Sequence, residues 1–199
     1  NMRLRPNEYR VKLRESEIAR YELIPDHYLA MNTGLVEEEI NGIPTKEPAF
    51  GLSAIWVPQS QRDRAERLGY TIVEPTAVLA THLTELLMMY APEIVSRQDT
   101  QNLIEHVKQS AKTVVEELVP NALSIGEVQK VLQALLRERV SVRNLEIILQ
   151  TLADYAPRTR DTEVLTEYVR HALARQICAS YADEEGQLRV VTLSPELER

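Results

Sequence analysis

At 199 residues, 44% apolar and 27% charged, the chain is long for one compact domain, sufficient for two or three small ones, and too apolar to be disordered. Its net charge of −7 argues against a general nucleic-acid role, which needs clustered Lys and Arg to meet phosphates. The single cysteine, Cys178, excludes an internal disulfide and a cysteine-based zinc site. Aromatic residues are only 5%, and the remaining apolar residues are mostly Leu, Val, Ile and Ala, which favours helix-rich packing over a β-sandwich.

The N-terminal third reads as strands. Glu8 to Arg14 alternates apolar and charged residues at period two, the pattern of a half-buried strand. Glu15-Ser16 is the expected turn, and Ile18 to Ile24 returns as the hairpin partner until Pro25, which has no N–H for a ladder. From Asp26 to Lys46 the chain reads as loop-rich, with Asn32-Thr33-Gly34 and Asn41-Gly42 as turn signals. Leu52 to Val57, which holds the only Trp, is a strand. Pro58 and Ser60 then open a short helix, with Ser60 and Asp63 at capping-box spacing and Gly69 at its C-terminal end. Tyr70 to Val73 is another strand.

From Pro75 the apolar period changes from two to 3.6. Val78, Leu79, Leu83, Leu86, Leu87 and Tyr90 predict one helical face, broken at Pro92. Ser96 and Asp99 mark the next helix start, with Leu103, Ile104 and Val107 on its apolar side. Pro120 ends a short helix, Ser124 with Glu127 is a capping box, and Val128, Val131, Leu132, Leu135 and Leu136 form the next stripe. Ser141 is the expected cap of a helix bearing Leu145, Ile148, Leu149 and Leu152. Asp161 caps one more helix, running to about Tyr181 with Leu165, Val169, Leu173 and Ile177 inward, and Leu188 to Leu193 is a final strand.

Few residues carry a chemical signature. His27, His82, His106 and His171 are scattered without metal-ligand spacing, and His82 reads as a packed or capping side chain. Glu37-Glu38-Glu39 lacks the spaced oxygens and turning glycine of a Ca²⁺ loop and reads as a solvated segment. Cys178 is expected to be a buried, inert thiol. The helical pair between Leu123 and Tyr155 could be a DNA-reading unit. However, Lys130, Arg137, Arg139 and Arg143 are balanced by Glu127, Glu138, Glu146 and Asp154, and a neutral segment favours a structural hairpin. The six glycines form no phosphate loop, and no serine sits in a nucleophile elbow. A hydrolase using Asp26 and His27 needs loop backbone there, because neighbours on a strand point to opposite faces.

The stretches NMRLRPNEYRVKL, PDHYLAMNTG, GIPTKEPAFGLSAIWVPQSQRDRAERLGYTIVEPTAVLATHL, EELVPNALSIGEVQKVLQALL, ILQTLADYAPRTRDTEVLTEYVRHALARQI and VVTLSPELE together resemble the FlhA/InvA (FHIPEP) family of type III export-gate proteins, most closely its flagellar branch. The resemblance spans essentially the whole chain. It implies an α+β, multi-subdomain piece of the cytoplasmic part, truncated at both ends and lacking the membrane segments. The implied division is 1–4 with 54–73 as the end of a first α/β subdomain, 5–53 as a small inserted subdomain, 74–153 as a helical subdomain, and 154–199 as the start of a last α/β subdomain. The implied function is non-enzymatic and without cofactor or metal: a docking platform at the cytoplasmic face of the bacterial inner membrane. Its partners would be export chaperones carrying flagellar substrates, other export-apparatus proteins and, in the intact protein, further copies in a nine-membered ring. A virulence injectisome gate of the same family is the nearer alternative. In the family a shallow apolar dimple docks the chaperones, and matching along the chain points to Asp26, Tyr28 and Leu29 on one side and Ser60 on the other.

Overall fold

The computed structural model describes residues 4–34, 36 and 38–190. The fold is α+β and divides into two compact units, residues 1–89 and 90–199, with the division inside one helix.

In the first unit, β1 (Glu8–Leu13) and β2 (Ser16–Glu22) form an antiparallel hairpin that is a two-stranded sheet of its own. Its turn lies one residue earlier than expected. Arg14 (φ 46°) and Glu15 (φ 68°) both take left-handed backbone, the requirement of a tight turn that matches strand twist.

A second sheet contains β3 (His27–Asn32), β4 (Ile43–Lys46), β5 (Ser53–Pro58) and, after the short helix α1 (Arg62–Arg67), β6 (Tyr70–Val73). Its order is β4-β5-β3-β6, and all neighbours run antiparallel. The loop-rich reading of Asp26 to Lys46 is therefore corrected, since β3 is an inner strand of this sheet. The run Tyr28-Leu29-Ala30-Met31 has no polar alternation because both of its faces are covered. Tyr28 and Ala30 pack with Val57, Ala65 and Tyr70 on one face, while Leu29 and Met31 pack with Ala54, Trp56 and Tyr21 on the other. β4 is a short edge strand carrying Pro44 and Lys46, both of which discourage further pairing. Gly42 permits the close crossing before it, since a Cβ there would lie 2.4 Å from both Ile55 Cγ2 and the Trp56 carbonyl oxygen. Ser60 does not cap α1. It sits in a 3-10 turn, Gln59–Gln61, and Gln61 occupies the cap position with no side-chain bond. Gly69 closes the helix with φ 89°, as expected.

The helix α2 (Pro75–Ile94) starts on proline, which is suited to a first turn. Its buried residues are Val78, His82 and Leu86, so the inward face is rotated from the expected stripe, and Leu83 and Leu87 lie outside. The polar label on His82 concealed this face. Pro92 is tolerated within the final turn and does not end the helix.

The second unit contains α3 (Arg97–Lys108), α4 (Lys112–Glu117), α5 (Ile125–Arg137), α6 (Leu145–Tyr155), α7 (Thr162–Ala172) and α8 (Ala174–Tyr181). The capping boxes Ser96/Asp99 and Ser124/Glu127 are both complete, and Asp161 caps α7 by accepting the Glu163 N–H at 2.9 Å. Asn144, not Ser141, holds the cap position of α6; Ser141 Oγ instead accepts the Arg143 N–H at 3.4 Å. Val128, Val131, Leu132, Leu135, Ile148, Leu149, Leu152, Leu165 and Val169 form one continuous core. The long helix expected after Asp161 breaks at Leu173, and α8 has no fully buried residue. This overturns the expected burial of Cys178, which is exposed. Beyond the break only Ile177 of the predicted stripe still touches the core. Residues 187–190 carry no strand, and the rest of the predicted 188–193 strand lies outside the described residues. Strand pairing crosses residue 53/54, and α7 packs in one core with α5 and α6 across residue 153/154.

Candidate functional site: an apolar cleft beside Glu47

The site lies in the first unit, where one face of the four-stranded sheet is incompletely covered. Leu29 and Met31 from β3 and Val73 from β6 form the floor of a cavity of about 220 Å³. Val78 and Thr81 of α2 form one wall, and Phe50 and Leu52 form the opposite rim. Phe50, the only Phe in the chain, is 59% exposed, and Leu52 is 50% exposed. An apolar hollow with large apolar side chains standing out at its lip is the geometry of a protein-recognition pocket.

Glu47 holds the rim. It is 4% exposed, yet its carboxylate is satisfied by the backbone: one oxygen accepts the Ala49 N–H at 2.9 Å and the other the Phe50 N–H at 2.7 Å. The Glu47 N–H donates to the Leu52 carbonyl at 2.8 Å, and the Gly51 N–H donates back to the Glu47 carbonyl at 2.9 Å. Gly51 supplies the left-handed residue (φ 71°) that closes the turn. Charge-assisted bonds to backbone N–H groups offset the cost of burying a carboxylate, and here they fix where Phe50 stands.

Glu47 also borders a second hollow of about 530 Å³, on the side of the hairpin, with Arg20, Tyr21, Thr45, Lys46 and His82. There the Tyr9 hydroxyl lies 2.6 Å from His82 Nδ1, and the Tyr21 hydroxyl lies 3.2 Å from Thr45 Oγ1. The Tyr9, Tyr21 and His82 rings meet edge to face, with centroids 5.8 to 6.5 Å apart. Burial pushes the Tyr9 phenol up to about 12, helped by Tyr21 and the Glu47 charge. Burial also lowers the His82 pKa, against a smaller opposing pull from Glu47. The Tyr9 hydroxyl and His82 Nδ1 share one hydrogen bond, whose direction is set by the imidazole tautomer.

Of the four residues expected to form the dimple, Asp26 and Ser60 lie side by side, and Tyr28 and Leu29 lie on opposite faces of the sheet. The Asp26 carbonyl accepts the Gln59 N–H at 3.1 Å, which brings exposed Asp26 beside the 3-10 turn bearing exposed Ser60. Tyr28 faces the sheet's other side, with the Arg62 guanidinium 5.2 Å over its ring. Leu29, fully buried, is the one that lies at the cleft. Phe50, Glu47 and Thr81 were missed as site residues, although a lone Phe beside a Gly in a Pro-containing turn is a signal of an exposed aromatic. His27 Nδ1 lies 2.9 Å from the Pro25 carbonyl, which can only accept, so His27 is a local turn donor. Among the described residues no cluster of three or more His, Cys, Asp or Glu is arranged to hold a metal ion, and no helix is long and apolar enough to cross a membrane. In the second unit a hollow of about 620 Å³ between α5 and α7 is lined by charged residues including Lys130, Arg137, Glu163 and Arg170.

The whole chain, residues 1–199, matches the FHIPEP family. The chain belongs to that family. The flagellar biosynthesis protein FlhA of Bacillus subtilis (strain 168) is 50% identical over 199 residues, all of this chain but 29% of its own length, so the chain spans less than a third of that relative. Among solved structures, the Chlamydia pneumoniae CdsV protein has a similar fold with a TM-score of 0.82 at 27% identity, covering 98% of this chain and 56% of its own. The nonameric EscV cytosolic domain of the type III secretion system matches with a TM-score of 0.61 at 26% identity, over 83% of this chain and 49% of its own. Proteins similar to this chain thus include a flagellar biosynthesis protein and a component of a type III secretion system.

Proposed function

We propose that this chain is a docking module of a flagellar type III export gate, and that the cleft between the Glu47–Leu52 turn and α2 receives export chaperones loaded with substrate. The observation that carries the reading is the cleft itself: an apolar floor in a rigid sheet, with Phe50 held out at the rim by a buried carboxylate. A partner's amphipathic helix would place an apolar anchor over Leu29 and Met31 and pack against Phe50. The residues named from the sequence enter unequally. Leu29 contributes to the floor, whereas Asp26, Tyr28 and Ser60 belong to the far end of the sheet. The module acts by binding and performs no covalent chemistry. In the intact protein it sits at the cytoplasmic face of the inner membrane within a ring of copies, supported by the nonameric assembly of its EscV neighbour. The flagellar assignment over the injectisome one is supported by the 50% identity to a FlhA.

Calorimetric titration with a purified flagellar chaperone–substrate complex tests this. Phe50→Ala is expected to weaken binding by about tenfold or more, as for a central aromatic anchor, while Asp26→Ala leaves it unchanged. Loss of affinity in Asp26→Ala alone would move the site to the other end of the sheet.

A further inference from the structure

The β1–β2 hairpin is an isolated two-stranded sheet, and such a unit is marginal unless it is packed against something. Two of its contacts with the rest of the first unit are polar. Tyr21 reaches Thr45 on β4, and Tyr9 reaches His82 on α2, across 73 residues of sequence. His82 is 5% exposed, so a proton added to its ring would be a buried charge. The next residue back along α2, Thr81, lines the cleft, and Glu47 borders both hollows.

We propose that Tyr9 and His82 form a proton-sensitive latch that fastens the hairpin to α2 and, through Glu47, sets the shape of the apolar cleft. The groups facing His82 are Tyr9 from β1, Arg20 and Tyr21 from β2, and Lys46 and Glu47 from the end of β4 and the turn after it. Glu85 stands one turn along on α2 itself. Of these, Glu47 lines the same hollow as His82 and its charge pulls on the imidazole, and Arg20 is already paired with Glu17 and Glu8. With His82 neutral and its proton on Nε2, Tyr9 donates to Nδ1, and Glu47 accepts from Ala49 and Phe50. A proton on His82 reverses the first bond and places a cation beside Glu47. The carboxylate is drawn from the Phe50 N–H toward the imidazolium, the rim turn loosens, and the hairpin's aromatic packing is disturbed by a buried charge.

The sign follows from burial. A buried imidazole binds protons less readily than the same group in an unfolded chain. The stability carried by neutral His82 is therefore complete above the ordinary histidine value of about 6.5 and is lost as pH falls through its depressed folded value.

The consequence for partner binding rests on the docking reading above, but the latch does not. The test is NMR on the full chain between about pH 7.5 and about pH 5, the range over which histidine switches charge. It follows the His82 ring signals together with amide protection factors in the hairpin and at Phe50. On acidification, protection in β1 and β2 and at Phe50 is expected to be lost together, in step with the change in the His82 ring signals. His82→Gln is expected to hold both flat, and Tyr9→Phe to move the His82 midpoint to higher pH, because it removes the donor that favours the neutral ring. If His82 titrates while the hairpin keeps its protection, the latch is wrong. If His82→Gln shows the same acid loss, the latch is likewise wrong, and if the hairpin opens while Phe50 is unmoved, the coupling through Glu47 is wrong. A chaperone–substrate complex that binds at neither pH, while both protections fall together, removes the docking reading and leaves the latch standing.

Discussion

The two units of this chain solve the burial problem differently. In the second unit, α3 to α7 close around leucines and valines, and the hollow between α5 and α7 is a charged surface groove. In the first unit the sheet presents one face to a hairpin and a helix that do not fully cover it, and the remainder is an apolar cleft. The same chemistry that makes one region a sealed scaffold leaves the other with surface available to a partner. At the rim of the cleft the 47–52 turn, its backbone held by the buried Glu47 carboxylate, carries Phe50 exposed.

The largest expected effect is on the sealed side. Leu149 is fully buried at the centre of the helical core, so Leu149→Ala should lose about 2–5 kcal/mol in chemical denaturation followed by circular dichroism. By contrast, Phe50→Ala should change stability by less than about 0.5 kcal/mol, because an exposed ring has little packing to lose. Equal losses would erase the distinction between the two units. Next is Glu47→Ala, which leaves the Ala49 and Phe50 N–H groups without their acceptor and should cost about 1–3 kcal/mol. Glu47→Gln should recover part of that loss, since the amide keeps one acceptor oxygen.

Ser124→Ala removes the cap of α5 and should cost about 0.5–2 kcal/mol. The Glu127 carboxyl is held below the usual carboxylate range, chiefly by the Ser124 N–H, then by the Ser124 hydroxyl, with Arg160 adding to it. That contribution is present above the unfolded carboxylate value and is lost as pH falls through the lower folded one. The penalty for Ser124→Ala should therefore shrink in acid, as stability against pH will show. The smallest effect is at the surface. Arg64 and Glu38 sit 3.3 Å apart with both side chains more than half exposed, and Glu38→Gln should change stability by less than about 0.5 kcal/mol.

The sequence was most legible where one physical signal dominated. The capping boxes at Ser96 and Ser124, the cap at Asp161 and the stripe of α6 depend on residues close in sequence, and they stand as expected. β3 was missed because an inner strand covered on both faces loses its alternation. The inward face of α2 was misjudged because His82, buried and bonded to Tyr9, carries a polar label but packs as core. The cleft was illegible for a related reason. Its floor, wall and rim come from β3, β6, α2 and a turn, brought together by a sheet order that places β3 between β5 and β6. Tyr28 and Leu29 are adjacent in sequence and were grouped, yet strand geometry sends them to opposite faces.

The most direct test of the central claim is an amide and methyl NMR titration of the labelled chain with an unlabelled flagellar chaperone–substrate complex. Perturbations concentrated at Met31, Phe50, Leu52 and Thr81 are the predicted result. Perturbations confined to the second unit, for instance around the stacked rings of Tyr155 and Tyr168, would show that partners land on the sealed scaffold and not in the cleft.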